Sequence, residues 1–298
     1  SDASLDSLVL GGLLPAIEVA VGDSWKPADS DVAAIFNLAK LTKNEVGAKL
    51  ESFDAATAKI SLTGHVAGIA SGASCVRTIA GQLVFDRARS KITQLDLSHS
   101  EERSAGPLGL ALQAKATYNF RRNLDAAISH LNEKELAKLP LDANPATEQL
   151  VYVQPDGRFR FHFQRGWFVV DSNPQAALLR LIEDGVFVSE CHVLAAPTVA
   201  AGTHMKPDDF RSQVQQALGS QFQKFIQEGE IPAPKGYWMY RLAAAGTLGQ
   251  NPVVWYYHVA AGPQGQQLVF IFKVGADQID EFGAKDLALV GTIEYETP

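Results

Sequence analysis

The seven histidines are the residues of this chain whose type best suits metal binding or proton transfer. No two of them have the spacing of an HExxH motif, and no group of Cys and His has zinc-like spacing. Cys191 and His192 are adjacent, but neighbours in a strand point to opposite faces and cannot act on one ion. His162, His192 and His258 can form a metal site only if their strands are neighbours, and half-buried polar residues of a sheet are the simpler interpretation. The sequence therefore predicts no metal site and no cofactor.

Motifs for nucleophilic or acid–base catalysis are also lacking. Residues 68–72 have the glycines and the serine of a nucleophile elbow in the wrong order, and we interpret them as a turn. Two adjacent acidic pairs occur, Glu101-Glu102 and Asp208-Asp209. We expect the first pair in a charged, solvated loop and the second in the first turn of a helix, where acids favour the dipole. The chain is therefore predicted to be non-enzymatic, with an enzyme that uses an unrecognised loop site as an alternative.

Four aromatic residues form the densest group of side chains that could bind a ligand: Trp238, Tyr240, Trp255 and Tyr257. Within each pair the two residues are two positions apart, so they share one face of a strand. One interpretation places them in a core beneath a covering helix. The other places them in an aromatic groove between sheet and helix, and makes the four the candidate binding residues.

An antiparallel sheet is predicted in the first half, where apolar side chains recur with a period of two between residues 45 and 121. Five runs joined by short turns favour a β-meander, as a curved sheet or half-barrel, with flanking helices at residues 31–41 and 124–139. The clearest apolar stripe is Leu108, Leu110, Leu112, Ala114, Ala116, Tyr118 and Phe120. Either the helices cover this stripe or an apolar small molecule does.

The second half has a different pattern. Alternating phenylalanines predict a strand at residues 159–163. Three later runs at 238–242, 253–259 and 268–274 also predict strands, and the last two runs are apolar on both faces. Between them, apolar positions from Phe210 to Ile226 have the spacing of one long helix that opens at Pro207. A helix over residues 276–289 can cover the other side of the sheet.

One segment of the second half is ambiguous. Residues 176–183 fit either a helix that ends at Gly185 or a strand followed by a type I′ turn at Asp184-Gly185. We favour the hairpin, because β-branched and aromatic residues follow the turn directly.

Two domains are expected from the length of 298 residues, with a boundary in the Pro-containing stretch near residue 145. We predict an antiparallel β-rich domain over residues 1–145 and a second domain over residues 146–298. The net charge of −7 provides no basic excess, so we expect no nucleic-acid partner. No apolar run is long enough to span a bilayer. A start without Met fits a removed leader or a start chosen for expression, and two cysteines fit the cytosol and a bacterial exported protein equally. We favour an extracytoplasmic protein, periplasmic or lipoprotein-anchored.

The second half resembles the PsbP/Mog-like α/β/α sandwich. The resemblance lies in the segments GRFRFHFQRGW, DGVFVSECHVLAAP and NPVVWYYHVAAGPQGQQLVFIFKV, together with the long helix, and covers about half of the chain. It implies an α+β fold with an antiparallel sheet and a scaffold-like or binding role, but no functional residues. The leading hypothesis is therefore an exported bacterial protein that binds another protein or an envelope component. The alternative is a carrier of an apolar small molecule in the N-terminal curved sheet.

Overall fold

The chain forms two compact units, Ser1–Leu139 and Pro140–Pro298. The computed structural model describes residues 9–123, 133–138, 142, 144 and 147–296. Residues 145 and 146, between which the sequence places the domain boundary, lie outside this set. Strands hold 52% and helices 16% of the described residues, so the fold is β-rich. The predicted α+β class, with an α/β/α sandwich in the second unit, is wrong.

The N-terminal unit is built on one seven-stranded sheet. Its strands are β1 (Ser24–Trp25), β2 (Lys40–Asn44), β3 (Gly47–Phe53), β4 (Thr57–Ala70), β5 (Ala73–Asp86), β6 (Lys91–Arg103) and β7 (Leu112–Arg121). The order β1-β3-β4-β5-β6-β7 is antiparallel throughout, and β2 pairs with β4. The predicted meander is therefore confirmed from β3 to β7.

Helices are few and short in this unit. A 3-10 turn spans Val9–Leu13, α1 spans Asp29–Ile35, and α2 spans Glu133–Leu136. Of the helix predicted over residues 124–139, residues 124–132 and 139 lie outside the described residues. The core forms where the inner side chains of the long strands meet α1, and Val32, Leu83 and Leu95 are fully buried there.

The C-terminal unit has two antiparallel sheets. Its strands are β8 (Leu150–Val153), β9 (Phe159–Phe163), β10 (Trp167–Ser172), β11 (Ala176–Glu183), β12 (Val186–Ala196), β13 (Phe222–Glu230), β14 (Trp238–Leu248), β15 (Asn251–Ala261), β16 (Gln267–Gly275) and β17 (Glu294–Tyr295). The large sheet has the order β10-β11-β12-β16-β15-β14-β13, and the small one has the order β17-β9-β8. Its helices are α3 (Pro207–Leu218), α4 (Ile279–Phe282) and α5 (Lys285–Val290).

Both faces of the large sheet pack against other elements, as the apolar runs of β15 and β16 predict. On one face, side chains such as Phe270 and Phe272 pack with Phe161 of the small sheet and with Phe282 and Leu289 of α4 and α5. On the other face, α3 covers part of β14 and β15. A small sheet with two short helices thus takes the place of the outer helical layer in the predicted sandwich.

The predicted long helix ends early. Gly219, with a φ of 52°, stops α3 after Leu218, and the chain continues as β13 from Phe222. The register of β13 shifts twice, between Phe222 and Lys224 and between Phe225 and Gln227. Each bulge adds one residue to the strand, so Phe222 and Phe225 lie on the same face although they are three positions apart. The two bulges therefore give the apolar residues of β13 a spacing that resembles that of a helix.

The other ambiguous segments are now settled. Residues 176–183 form β11, and Asp184 (φ 49°) with Gly185 (φ 80°) form the turn to β12, so the predicted hairpin is confirmed. The helix predicted over residues 276–289 is divided into a 3-10 turn, α4 and α5, and Gly283 (φ 53°) lies between the two helices. None of the helices in the described residues has the length and apolar character that crossing a membrane requires.

We expect Phe210→Ala to lower the free energy of unfolding of the C-terminal unit by roughly 3–5 kcal/mol. Phe210 is buried on α3 and contacts Tyr240 and Tyr257 edge-on, with ring centroids 6.4 and 6.3 Å away. Ile226→Ala is the control, because Ile226 of β13 is exposed. Urea denaturation followed by tryptophan fluorescence measures both changes. Equal effects of the two substitutions would show that the packing of α3 on β14 and β15 contributes little to stability.

Candidate functional site

A cleft of about 420 Å³ lies on the inner face of the N-terminal sheet, where β5, β6 and β7 run side by side. Its lining borders the core and shares residues of α1 and β4 with it. Its lining combines an apolar wall on β7, side chains at the end of α1, and four charged or titratable residues of β5 and β6. Those four are Arg77, His99, Glu101 and Arg103. We call this feature the β7 cleft.

The apolar wall is the stripe that the sequence singles out. Along β7, exposed and half-buried residues alternate strictly, and Leu112, Ala114, Ala116 and Tyr118 face the cleft. Tyr118 also packs against the core, whereas the three residues nearer the start of β7 lie outside it. The stripe loses its regularity before Leu112, because β7 begins there and Leu110 is 88% exposed.

Opposite this wall lies a buried ion pair. Arg77 Nε donates to Glu101 Oε2 at 3.0 Å, and the two side chains are only 12% and 10% exposed. Arg77 also donates to the carbonyl oxygen of Phe36, directly after α1. The prediction that Glu101 lies in a solvated loop is therefore wrong: Glu101 pairs with Arg77 across β5 and β6 and faces inward. The alternation of β6, which places Leu95, Leu97, His99 and Glu101 on one face, is the sequence signal for this.

His99 is a buried titratable group of the cleft. Its ring lies 5.4 Å from the ring of Tyr118, and its Nδ1 is buried without a hydrogen-bond partner among the described residues. Burial, with a further contribution from the charge of Arg77, lowers the pKa of His99 below its ordinary value. Burial also raises the pKa of Tyr118. His99 is therefore neutral at pH 7 and adds no charge to the cleft.

Arg103 stands at the start of the apolar wall, paired across the ladder with Leu112. Its Nε lies 3.6 Å from Glu101 Oε1, which is too long for a good hydrogen bond. Within the described residues, Glu101 Oε1 is buried and has no hydrogen-bond partner. The charges of Arg77, Arg103 and Glu101 leave the cleft with one net positive charge.

The four predicted aromatic residues do come together, on β14 and β15 beneath α3. Tyr240, Trp255 and Tyr257 are buried, and the half-buried Trp238 stacks on His204 with ring centroids 3.7 Å apart. Phe210 of α3 packs on two of them. Ligand binding by this group stays a prediction, and its burial is typical of a core.

The histidines considered for a metal site do not converge. His162 lies in the small sheet, while His192 and His258 lie on opposite faces of the large sheet. His192 Nε2 donates a hydrogen bond to Glu190 Oε1 at 3.1 Å. Cys191 is buried, and burial raises the pKa of its thiol well above the usual value. No group of three or more possible metal ligands occurs in the part of the chain that the structure describes.

A second buried titratable cluster ties α5 to the large sheet. Asp286 Oδ2 accepts hydrogen bonds from His258 Nε2 at 2.9 Å and from Arg241 Nε at 2.7 Å. Burial alone would raise the pKa of Asp286, but the His258 hydrogen bond and the charge of Arg241 outweigh it and lower that pKa. Burial lowers the pKa of His258, and the bond to Asp286 offsets this only in part. These two bonds join α5 to β14 and β15 of the large sheet.

Comparisons with known proteins add no family. No family model matches the chain, and no curated protein matches it. A solved structure from Bacteroides thetaiotaomicron VPI-5482 is similar over 50% of this chain and 49% of its own, with a TM-score of 0.37 and 10% identity. The chain therefore spans about half the length of that protein. The class defined by the fold is a two-unit antiparallel β protein, and the resemblance to the PsbP/Mog family stays a prediction.

We expect Arg77→Gln to destabilise the N-terminal unit by roughly 3–5 kcal/mol, because it leaves Glu101 buried without its partner. Arg103→Gln is the matched comparison and should cost less than about 1 kcal/mol, because the contact with Glu101 is long and partly solvated. Urea denaturation followed by far-UV circular dichroism measures both. If Arg103→Gln costs as much as Arg77→Gln, Arg103 is a structural partner of Glu101.

We expect stability to fall as the pH drops below 6.5, the ordinary pKa of histidine. His258 has a lowered pKa in the folded state, so the unfolded chain binds the proton first and unfolding becomes easier. One such proton changes the free energy of unfolding by at most about 1.4 kcal/mol per pH unit. Urea denaturation between pH 7.5 and 5.5 should therefore show a shallower slope for His258→Gln. An unchanged slope would mean that His258 does not titrate in this way.

Proposed function

We propose that this chain is a non-enzymatic binding protein and that the β7 cleft of its N-terminal unit holds a small molecule with an apolar part. The observation that carries the proposal is the pairing of a cleft of about 420 Å³ with the apolar stripe of β7. Small-molecule sites are mostly apolar clefts of roughly 300–1,000 Å³ with a few polar groups. The β7 cleft fits this description in size, and its apolar wall on β7 lies beside several polar and charged side chains.

The stripe favours this function because it faces inward without joining the core. Leu112, Ala114 and Ala116 are half-buried although they lie on the same face as the buried core residues of β6. A wall of small and branched side chains leaves room for a ligand, whereas a core position usually carries a larger residue. A ligand that removes this surface from water stabilises the complex by roughly 25 cal/mol per Å² of apolar area.

A role toward another protein or an envelope component, in an exported bacterial protein, is the second candidate function. It is favoured by aliphatic side chains on two strands that form sheet edges in the described residues, β8 and β10. Among them Val153 is 57% exposed, and Val151, Val169 and Val170 are exposed as well. Exposed apolar surface and free sheet edges are typical of interaction sites.

The carrier function is tested by filling the cleft. N-phenyl-1-naphthylamine, a neutral apolar dye that fluoresces when it leaves water, should bind the parent protein at a single site. Ala116→Phe should reduce its affinity at least roughly tenfold, because the added ring occupies the cleft. Thr117→Phe is the control, since Thr117 is the next residue of β7 and faces outward.

Dye titration, with thermal melting to verify folding, measures both variants. Native mass spectrometry of the protein as purified shows whether a ligand already occupies the cleft. Absence of dye binding to a parent protein free of ligand contradicts the proposal, because the chain itself must then cover the stripe. Equal binding by the two phenylalanine variants places the dye elsewhere.

A further inference from the structure

The β7 cleft holds more positive than negative charge. Arg77 and Arg103 face the single carboxylate of Glu101, and the neighbouring His99 is neutral. Arg77 and Glu101 neutralise each other at 3.0 Å. The guanidinium of Arg103 therefore carries the unbalanced charge, in a side chain that is only 23% exposed. A guanidinium with this excess charge, partly shielded from water, favours the approach of an anion.

The guanidinium of Arg103 also has N–H donors that no acceptor among the described residues uses. Within the described residues, its guanidinium makes an ion contact to Glu101 at 3.6 Å and no hydrogen bond. A guanidinium offers five N–H donors in a planar fork, which matches the two oxygens of a carboxylate or a phosphate. Arg77 is less free, because it already donates to Glu101 and to the carbonyl of Phe36.

The position of Arg103 relative to the apolar wall determines how a ligand would be oriented along β7. Arg103 pairs with Leu112 at the start of β7, and the wall continues from there through Ala114 and Ala116 to Tyr118. Seven residues of a strand cover roughly 20 Å. A molecule with a charged end at Arg103 can therefore lay an apolar chain along β7. His99, 8% exposed and with an unpartnered Nδ1, lines the middle of this path.

We propose that the ligand of the β7 cleft is an amphipathic anion, whose carboxylate or phosphate head group binds Arg103 while its apolar chain lies against Leu112, Ala114 and Ala116. This inference rests on the proposed carrier function and adds the chemical class of the ligand. Charge complementarity selects the occupant, because the cleft presents a free guanidinium beside an apolar wall. A neutral lipid would leave that guanidinium with only its 3.6 Å contact to Glu101, and an amine would be repelled.

Displacement of the bound dye tests the head group separately from the apolar site. Four ligands share a ten-carbon chain and differ at one end: decanoate, decyl phosphate, decanol and decylamine. The two anions should displace N-phenyl-1-naphthylamine at concentrations roughly ten- to a hundredfold below that of decanol, the range expected for a charge-assisted hydrogen bond. Decylamine should be the weakest. A difference between decanoate and decyl phosphate identifies which anion the site prefers.

Variants assign the effect to Arg103. Arg103→Gln should remove the advantage of the anions over decanol, with each potency expressed relative to decanol on the same variant so that a change in dye affinity cancels. Arg103→Lys should retain part of that advantage, because it keeps the charge but loses the fork. Arg121→Gln is the control, since Arg121 lies on the outward face of β7 and pairs with Asp96. It should behave like the parent protein.

The outcomes separate the two proposals. If the parent protein binds the dye but decanol displaces it as well as decanoate does, the head-group inference is wrong and the carrier function stands. If the dye does not bind, the carrier function fails as well. An anion preference that survives Arg103→Gln assigns the head group to another residue and overturns the role of Arg103. Should Arg103→Gln not fold, the comparison of the four ligands on the parent protein still decides.

Discussion

The ion pair between Arg77 and Glu101 is the interaction on which the N-terminal cleft depends. Strict alternation along β5 and β6 places both side chains on the face that buries Leu83 and Leu95. Two charges on such a face are tolerated only as a pair with further hydrogen bonds, which the Phe36 carbonyl supplies to Arg77. Beside the pair, Leu112, Ala114 and Ala116 of β7 line the cleft and do not join the core.

In the C-terminal unit, too, a buried charge is compensated by hydrogen bonds. There the polar cluster anchors a helix, whereas in the N-terminal unit the ion pair borders a cleft. Asp286 of α5 is fully buried against the large sheet, and Arg241 and His258 satisfy the same carboxylate oxygen. Through these two bonds the polar cluster fixes the position of a short helix on the sheet. A helix of six residues has little stability of its own, so such an anchor determines where it lies.

Much of the β-structure was predictable from local patterns, because period-two alternation over long strands has no helical equivalent. The meander from β3 to β7 and the Asp184-Gly185 hairpin follow from alternation and turn chemistry. The segment after Leu218 was not predictable in this way. Its apolar residues fit a helix, and only pairing with β14, through two bulges, makes it a strand. Hydrogen bonds to a strand far away in the chain determine whether such a segment is a helix or a strand. The local spacing of apolar residues does not reveal these bonds.

For the candidate site as well, some features follow from the sequence and others only from the tertiary structure. Composition and spacing determined that the chain is β-rich in its first half, that β7 carries an apolar stripe, and that no metal-binding or catalytic motif is present. The sequence also placed Trp238, Tyr240, Trp255 and Tyr257 together, but tertiary packing under α3 decided that most of their surface is buried.

Only the tertiary structure brought Arg77, Glu101 and Arg103 beside the stripe. These residues lie on strands whose register is set by the whole meander, and a shift of one residue would turn each of them to the other face. Charge alone indicates a solvated residue, because most charged side chains are exposed. Alternation shows which face a residue takes, but whether that face is packed, open or occupied depends on elements far away in the chain. The sequence thus determined the wall of the cleft, and the folded sheet decided that a cleft with a free guanidinium lies beside it.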